Sequence, residues 1–117
     1  MPTPPPPKLQ IDTDGSSSAL IVRLAGELDA GTADQLERAL TEVLEPRSLL
    51  VLDLHELTFV DSLGLNILFR MREWADANGV TLRAVRAPVH VQRLLALAAL
   101  DGSLGPFYAD AEAALRD

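Results

Sequence analysis

The feature that most constrains this chain is an apolar run at residues 49–54, in which Asp53 is the one charged residue. A run of this length is typical of a strand buried on both faces. After a link at residues 55–58, the pair Asp61-Ser62 precedes a long segment with helical apolar spacing, and both residue types favour helix N-caps. The sequence therefore predicts a central strand, a short link and a capped helix with a serine hydroxyl at its start.

The segment before this unit has the pattern of a hairpin followed by a helix. Residues 9–12 and 19–25 read as strands joined by a turn at Asp14-Gly15 and the serines after it. We expect residues 26–29 to carry the chain away from the sheet. Thr32 and Gln35 have the spacing of a capping box, and the helix that follows is expected to end at Pro46.

The segment after the central unit continues the alternation of helix and strand. A helix over residues 63–77 is predicted to end at Asn78-Gly79, a strand follows over residues 80–85, and a final helix covers residues 110–115. Expected buried positions are Gly64, Ile67, Leu68, Met71 and Ala75 in the first of these helices, and Val91, Leu94, Leu95, Leu97 and Ala98 in a third helix that begins at Pro88. This order predicts an α/β domain with a mixed, mostly parallel sheet of four to five strands and about four helices.

Composition limits the number of domains and the classes of partner. A chain of 117 residues with 48% hydrophobic residues forms one domain, predicted at residues 9–117 after a disordered proline-rich tail at residues 1–8. The net charge of -7 and the presence of a single lysine, Lys8, argue against direct binding of nucleic acid. No apolar run approaches the roughly 20 residues needed to cross a bilayer, so we expect a cytoplasmic protein without membrane association.

The residue types in this chain give little support for a catalytic function. The chain has no cysteine, and His55 and His90 lie on different elements without a second histidine near either, so we predict no metal site and no cofactor. Ser62 lies outside any G-x-S-x-G elbow, and no phosphate-binding loop is present. We therefore predict no catalytic residues and no enzyme activity; Asp61 and Ser62 taken alone are helix caps.

Two segments together resemble a known family. Gly-Glu-Leu-Asp at residues 26–29 and Phe-Val-Asp-Ser-Leu-Gly-Leu at residues 59–65 resemble the paired signatures of the STAS domain, and more narrowly those of the small bacterial anti-sigma factor antagonists. The resemblance extends from about residue 9 to residue 116. It implies the STAS fold and a protein that switches between partners.

The resemblance also implies a site. In the family, the serine after the aspartate is phosphorylated by an anti-sigma factor that is a serine kinase, and a PP2C-type phosphatase reverses the reaction; that serine corresponds to Ser62. The unphosphorylated form binds the anti-sigma factor and frees the sigma factor. Asp61 is expected to position Ser62 and the metal-nucleotide of the kinase, with Asp29, Leu63 and Leu65 as lesser partner contacts. Many relatives have serine or threonine where this chain has Leu63, so a second acceptor is absent.

Two other functions compete with this one. A STAS subunit of a stressosome, or of an ABC-type lipid-transport complex, would share the fold and associate stably with its assembly without a kinase partner. An enzyme on this fold would need a base, a metal set or a phosphate loop, and none is visible in the sequence.

Overall fold

The computed structural model describes residues 7–16, 18–43, 49–97, 104 and 106–116. These residues form five strands and four helices, which in chain order are β1 (Leu9–Gly15), β2 (Ala19–Leu28), α1 (Ala33–Val43), β3 (Leu49–Val60), α2 (Ser62–Ala77), β4 (Thr81–Val85), α3 (Val89–Leu97), β5 (Phe107–Tyr108) and α4 (Ala111–Arg116).

The strands form one sheet in the order β1-β2-β3-β4-β5. β1 pairs antiparallel with β2, and the other three pairings are parallel. Helices α1, α2 and α3 contribute to the large hydrophobic core on one face of the sheet, whereas α4 packs in a smaller cluster on the other face. The predicted mixed and mostly parallel α/β sheet is confirmed.

Strand β3 occupies the centre of the sheet and is buried on both faces. Leu50 and Leu52 belong to the large core, whereas Val51 belongs to the smaller cluster together with Ala114 of α4. Val51 and Leu52 are fully buried. The prediction that the apolar run at residues 49–54 forms a central strand is therefore confirmed.

Strand β3 is longer than the sequence predicted. It continues to Val60, so the expected link at residues 55–58 is part of the strand. The register with β2 shifts twice, between Arg23 and Ala25 and between Gly26 and Glu27, because β3 carries an extra residue at each point. These bulges break the strict alternation of buried and exposed side chains by which a strand is recognised in a sequence.

Strand β2 also continues further than predicted. Residues 26–28 pair with β3 and remain in the sheet. The expectation that residues 26–29 leave the sheet is therefore wrong for residues 26–28. Gly26 has φ +104°, and a Cβ there would lie 2.1 Å from the carbonyl oxygen of Lys8. The glycine is required by the backbone of a bulged strand, although its residue type suggested a loop. The hairpin is confirmed, but β1 includes Asp14 and Gly15.

The helical predictions are largely confirmed. All five residues predicted for the inner face of α2 are buried, and Gly79 ends the helix with φ +69°. In α3, Val91 and Leu95 are buried, but Leu97 is 85% exposed, so its assignment to the inner face is wrong. The tail at residues 1–6, Pro46 and Ala98 lie outside the described residues. Within the described ranges, no helix is long and apolar enough to cross a membrane.

Candidate functional site

Strands β2 and β3 end side by side and bring two short segments together. Leu28 pairs with Val60, and the amide of Asp61 donates to the carbonyl of Leu28 at 3.1 Å. The β2–α1 loop (residues 29–32) therefore lies against the start of α2. The carboxyl ends of parallel strands are a common location for functional residues in α/β proteins.

Asp61 connects these two segments through its carboxylate. It is the N-cap of α2, with φ -105° and ψ -174°, and its Oδ1 accepts from the amide of Gly64 at 3.0 Å. Its Oδ2 accepts from the amide of Ala30 in the β2–α1 loop, also at 3.0 Å. One side chain thus caps the helix and holds the opposite loop.

Gly64 allows the first turn of α2 to approach the end of β2. A Cβ at this position would lie 2.3 Å from the carbonyl oxygen of Leu28 and 2.9 Å from its Cγ. Both distances are shorter than nonbonded contacts permit, so a larger residue would push the helix away from the sheet. Close approach to the sheet is therefore what a glycine provides here, in spite of its low preference for helices.

The remaining predicted residues of the first turn differ in exposure. Ser62 and Leu63 are exposed, and 52% of Leu63 is accessible to solvent. Leu65 is partly buried and packs against the large core. Ser62 and Leu63 can therefore be reached by a partner, whereas much of Leu65 serves the core.

Asp29, in the β2–α1 loop, supplies the second carboxylate of the site. Its Oδ1 accepts from the amides of Gly31 at 2.9 Å and Thr32 at 3.1 Å, and its Oδ2 accepts from Lys8 Nζ at 2.9 Å. The hydrogen bond from Lys8 lowers the pKa of Asp29, and the same hydrogen bond together with the charge of Asp29 raises the pKa of Lys8. The site thus contains a cation that balances one of its two carboxylates.

Thr32 and Gln35 make other contacts than those of a capping box. The Thr32 hydroxyl donates to the carbonyl of Glu27 at 2.8 Å and accepts from the amide of Asp29 at 2.9 Å. The Gln35 amide donates to the carbonyl of Leu9 at 3.0 Å. These bonds tie α1 to β1 and β2, so this pair closes the loop against the sheet rather than capping α1 reciprocally.

Sequence reasoning missed two members of the site, Lys8 and Ala30. The sequence places Lys8 in the proline-rich tail. Lys8 is the one lysine in the chain, and this was the signal that it could have a specific partner. Ala30 contributes a backbone amide, which no residue type reveals. In the described part of the chain, no group of three or more His, Cys, Asp or Glu side chains is arranged to hold a metal ion.

Comparison with known proteins assigns the family. The model of the STAS domain matches residues 10–114. The chain belongs to the STAS domain family. The matched range contains both signature segments, and the resemblance seen in the sequence is confirmed.

Individual known proteins resemble the chain over most of its length. An anti-sigma F factor antagonist from Paenibacillus polymyxa is 35% identical over 96 residues, which cover 79% of this chain and 80% of the relative. The crystal structure of an anti-sigma factor antagonist from Mycobacterium paratuberculosis is 28% identical, covers 92% of this chain and 91% of its own, and has a TM-score of 0.80. The phosphorylated form of the Bacillus cell fate determinant SpoIIAA shares the fold, with 17% identity, a TM-score of 0.69 and coverage of 92% and 97%.

Proposed function

We propose that this STAS protein is an anti-sigma factor antagonist whose unphosphorylated form binds an anti-sigma factor with serine kinase activity and thereby frees a sigma factor. The observation that carries the proposal is the exposed Ser62 at the start of α2, directly after the N-cap Asp61, in a chain similar to proteins named anti-sigma factor antagonists. Phosphorylation of Ser62 by that kinase ends binding, and a PP2C-type phosphatase restores it.

The fold can accept a phosphate at this position. A phosphoserine carries about -1.5 to -2 charges at neutral pH. Ser62 is the first residue of α2, where free backbone amides and the helix dipole stabilise an anion by roughly 0.3–1 kcal/mol. Because its side chain is exposed, no buried contact has to break. Phosphorylation should therefore leave the hydrophobic core unchanged.

The same phosphate can prevent association with a partner. An acidic partner group about 6 Å away, at an effective permittivity near 20, would be repelled by a few kcal/mol. A loss of about 2.7 kcal/mol already weakens binding a hundredfold. Leu63 adds an exposed apolar contact beside the phosphate, so the same surface supplies affinity and its control.

The other predicted residues have separate roles in this proposal. Asp61 presents Ser62 by capping α2 and orients the kinase's metal-nucleotide. Asp29 holds the β2–α1 loop, which borders the partner surface. Leu63 contacts the partner directly, whereas Leu65 contributes through its exposed part.

The first test is intact-mass spectrometry of the protein purified from its own host, with fragmentation to locate any phosphate. We expect one phosphate on Ser62, its loss in Ser62→Ala, and its retention in Ser16→Ala, which removes another exposed hydroxyl. Absence of phosphate under every growth condition would refute the switch and favour a stressosome or ABC-type lipid-transport subunit.

The second test uses the Ser62→Ala protein as bait, because it cannot be released by phosphorylation. We expect it to retain a protein with a serine kinase domain, identified by mass spectrometry. A protein with phosphoserine placed at position 62 should retain much less of that kinase. Stable retention of an ABC-type ATPase by both baits would contradict the proposal.

A further inference from the structure

We propose that Asp61 is a positioning residue that couples the state of Ser62 to the β2–α1 loop. The inference rests on the proposed function, because it takes Ser62 as the modified residue. It adds that the partner surface is composite and that both halves respond together. The first turn of α2 forms one half, and the β2–α1 loop forms the other.

The proposed coupling rests on a bridge formed by the two oxygens of the Asp61 carboxylate. Oδ1 accepts from Gly64 in α2, and Oδ2 accepts from Ala30 in the loop, both at 3.0 Å. Ala30 lies 31 positions before Asp61 in the chain, so the second bond joins two elements. A cap that served only the helix would need only the first bond.

The loop is held together by its own hydrogen bonds. The amides of Thr32 and Ala33 donate to the carbonyl of Asp29 at 3.1 Å and 2.8 Å, which closes a turn with Ala30 and Gly31 at its centre. The Asp29 carboxylate fixes the amides of Gly31 and Thr32. A displacement of Ala30 is therefore passed to the whole turn.

Ser62 is the covalent neighbour of Asp61, so a phosphate on Ser62 places about two negative charges beside the bridging carboxylate. The phosphate competes with the carboxylate for amides of the first helical turn and repels it. Either effect changes the bond from Ala30 to Oδ2. Phosphorylation therefore changes the β2–α1 loop without any rearrangement of the core.

Two substitutions remove the bridge by different routes. Asp61→Ser keeps a good N-cap for Gly64, but one short hydroxyl cannot also accept from Ala30. Ala30→Pro keeps the Asp61 charge and deletes the amide donor. The hydrogen bond from the Thr32 amide to the Asp29 carbonyl closes a four-residue turn in which Ala30 is the second residue. Proline is favoured at the second position of such turns. Ala30→Ser retains the amide and is the matched control.

The first measurement is amide hydrogen exchange by NMR in the unmodified proteins. In Asp61→Ser we expect exchange at Ala30 to rise about tenfold, as for the loss of one net hydrogen bond, while exchange at Gly64 stays close to wild type. Unchanged exchange at Ala30 would overturn the inference. So would equal increases at both amides, because Asp61 would then act only through the helix.

The second measurement places phosphoserine at position 62 and follows the amide resonances of the β2–α1 loop. We expect shifts at Gly31 and Thr32 in wild type and Ala30→Ser, and no such shifts in Asp61→Ser and Ala30→Pro. Equal shifts in all four proteins would show that the phosphate acts through space and would refute the coupling. Neither measurement requires a kinase, so failure here is distinguishable from absence of phosphate in the host.

Discussion

The residues at the start of α2 divide into those that hold the backbone and those that are exposed to solvent. Asp61 and Gly64 fix the helix to the end of β2 by a carboxylate bridge and by the absence of a side chain. Ser62 and Leu63 point to solvent. Because Asp61 and Gly64 flank Ser62 and Leu63 within one turn, a substitution at an exposed residue and a structural one can be directly adjacent.

Gly64→Ala should destabilise the protein even though alanine favours helices. The gain in helix propensity is at most about 1 kcal/mol. The cost of forcing Cβ against the Leu28 carbonyl should be about 1–3 kcal/mol, as for other overpacked sites. Urea unfolding should show a net loss, and Asn66→Ala, an exposed position of the same helix, should show none. Equal stability of the two variants would mean that the contact relaxes freely.

At the scale of elements, local patterns predicted the order and type of every long strand and helix, because each has its own hydrophobic period. The lengths of β2 and β3 were missed. Both strands continue through a region in which β3 carries two extra residues, so the buried residues Leu54, Leu57 and Val60 are three apart instead of two. Such a bulge is a property of the pair of strands, so neither strand's sequence reveals it alone.

The candidate site, like the strands, was predicted only in part from the sequence. Ser62 and Asp61 were predicted from a capping pattern and a family signature, and both lie where expected. The Ala30 amide and the Lys8 ammonium were missed because they reach the site through the pairing of β2 with β3 and with β1. Contacts that depend on register between distant segments are invisible to a reading of local spacing.

Leu57→Ala should test whether the bulged half of β3 supports the core. Leu57 is fully buried in the large core, so its truncation should cost about 2–5 kcal/mol. The neighbouring Glu56 is exposed, and Glu56→Ala should change the free energy of unfolding by no more than about 0.5 kcal/mol. Chemical denaturation monitored by circular dichroism measures both. A small effect of Leu57→Ala would indicate that residues 55–58 behave as the link that the sequence suggested.

At the scale of the whole molecule, an acidic chain has its one lysine at the end of the sheet where the candidate site lies. Lys8 stands directly before β1 and binds Asp29 directly after β2. The ion pair therefore joins the residue before β1 to the β2–α1 loop. It is exposed on the Lys8 side, so its contribution is screened by salt.

The Lys8–Asp29 pair should make stability depend on pH in a defined direction. The lowered pKa of Asp29 means that its contribution is present above its ordinary value of 3.8 and is lost as the pH falls through the lowered value. The raised pKa of Lys8 means that its contribution is present below 10.5 and is lost as the pH rises through the raised value. The stability difference between wild type and Lys8→Met should thus be largest between these limits.

Thermal unfolding across this pH range measures the difference. The matched control is the same Lys8→Met change in an Asp29→Asn background, where the pH dependence at the acidic limit should vanish. Addition of about 1 M salt should also reduce the difference, because the screening length then falls to about 3 Å. A difference that persists unchanged at acidic pH, where Asp29 is neutral, would show that the effect of Lys8→Met does not arise from the ion pair.

The way in which α2 is anchored has a consequence for how such proteins diversify. The anchor uses the Asp61 carboxylate, a missing side chain at Gly64 and backbone amides, so the side chains at positions 62 and 63 carry almost no folding constraint. Gene duplicates could acquire new recognition residues there without compensating changes elsewhere. A library randomised at position 63, with Ser62 retained as the proposed acceptor, offers a direct route to variants with altered recognition on an unchanged scaffold.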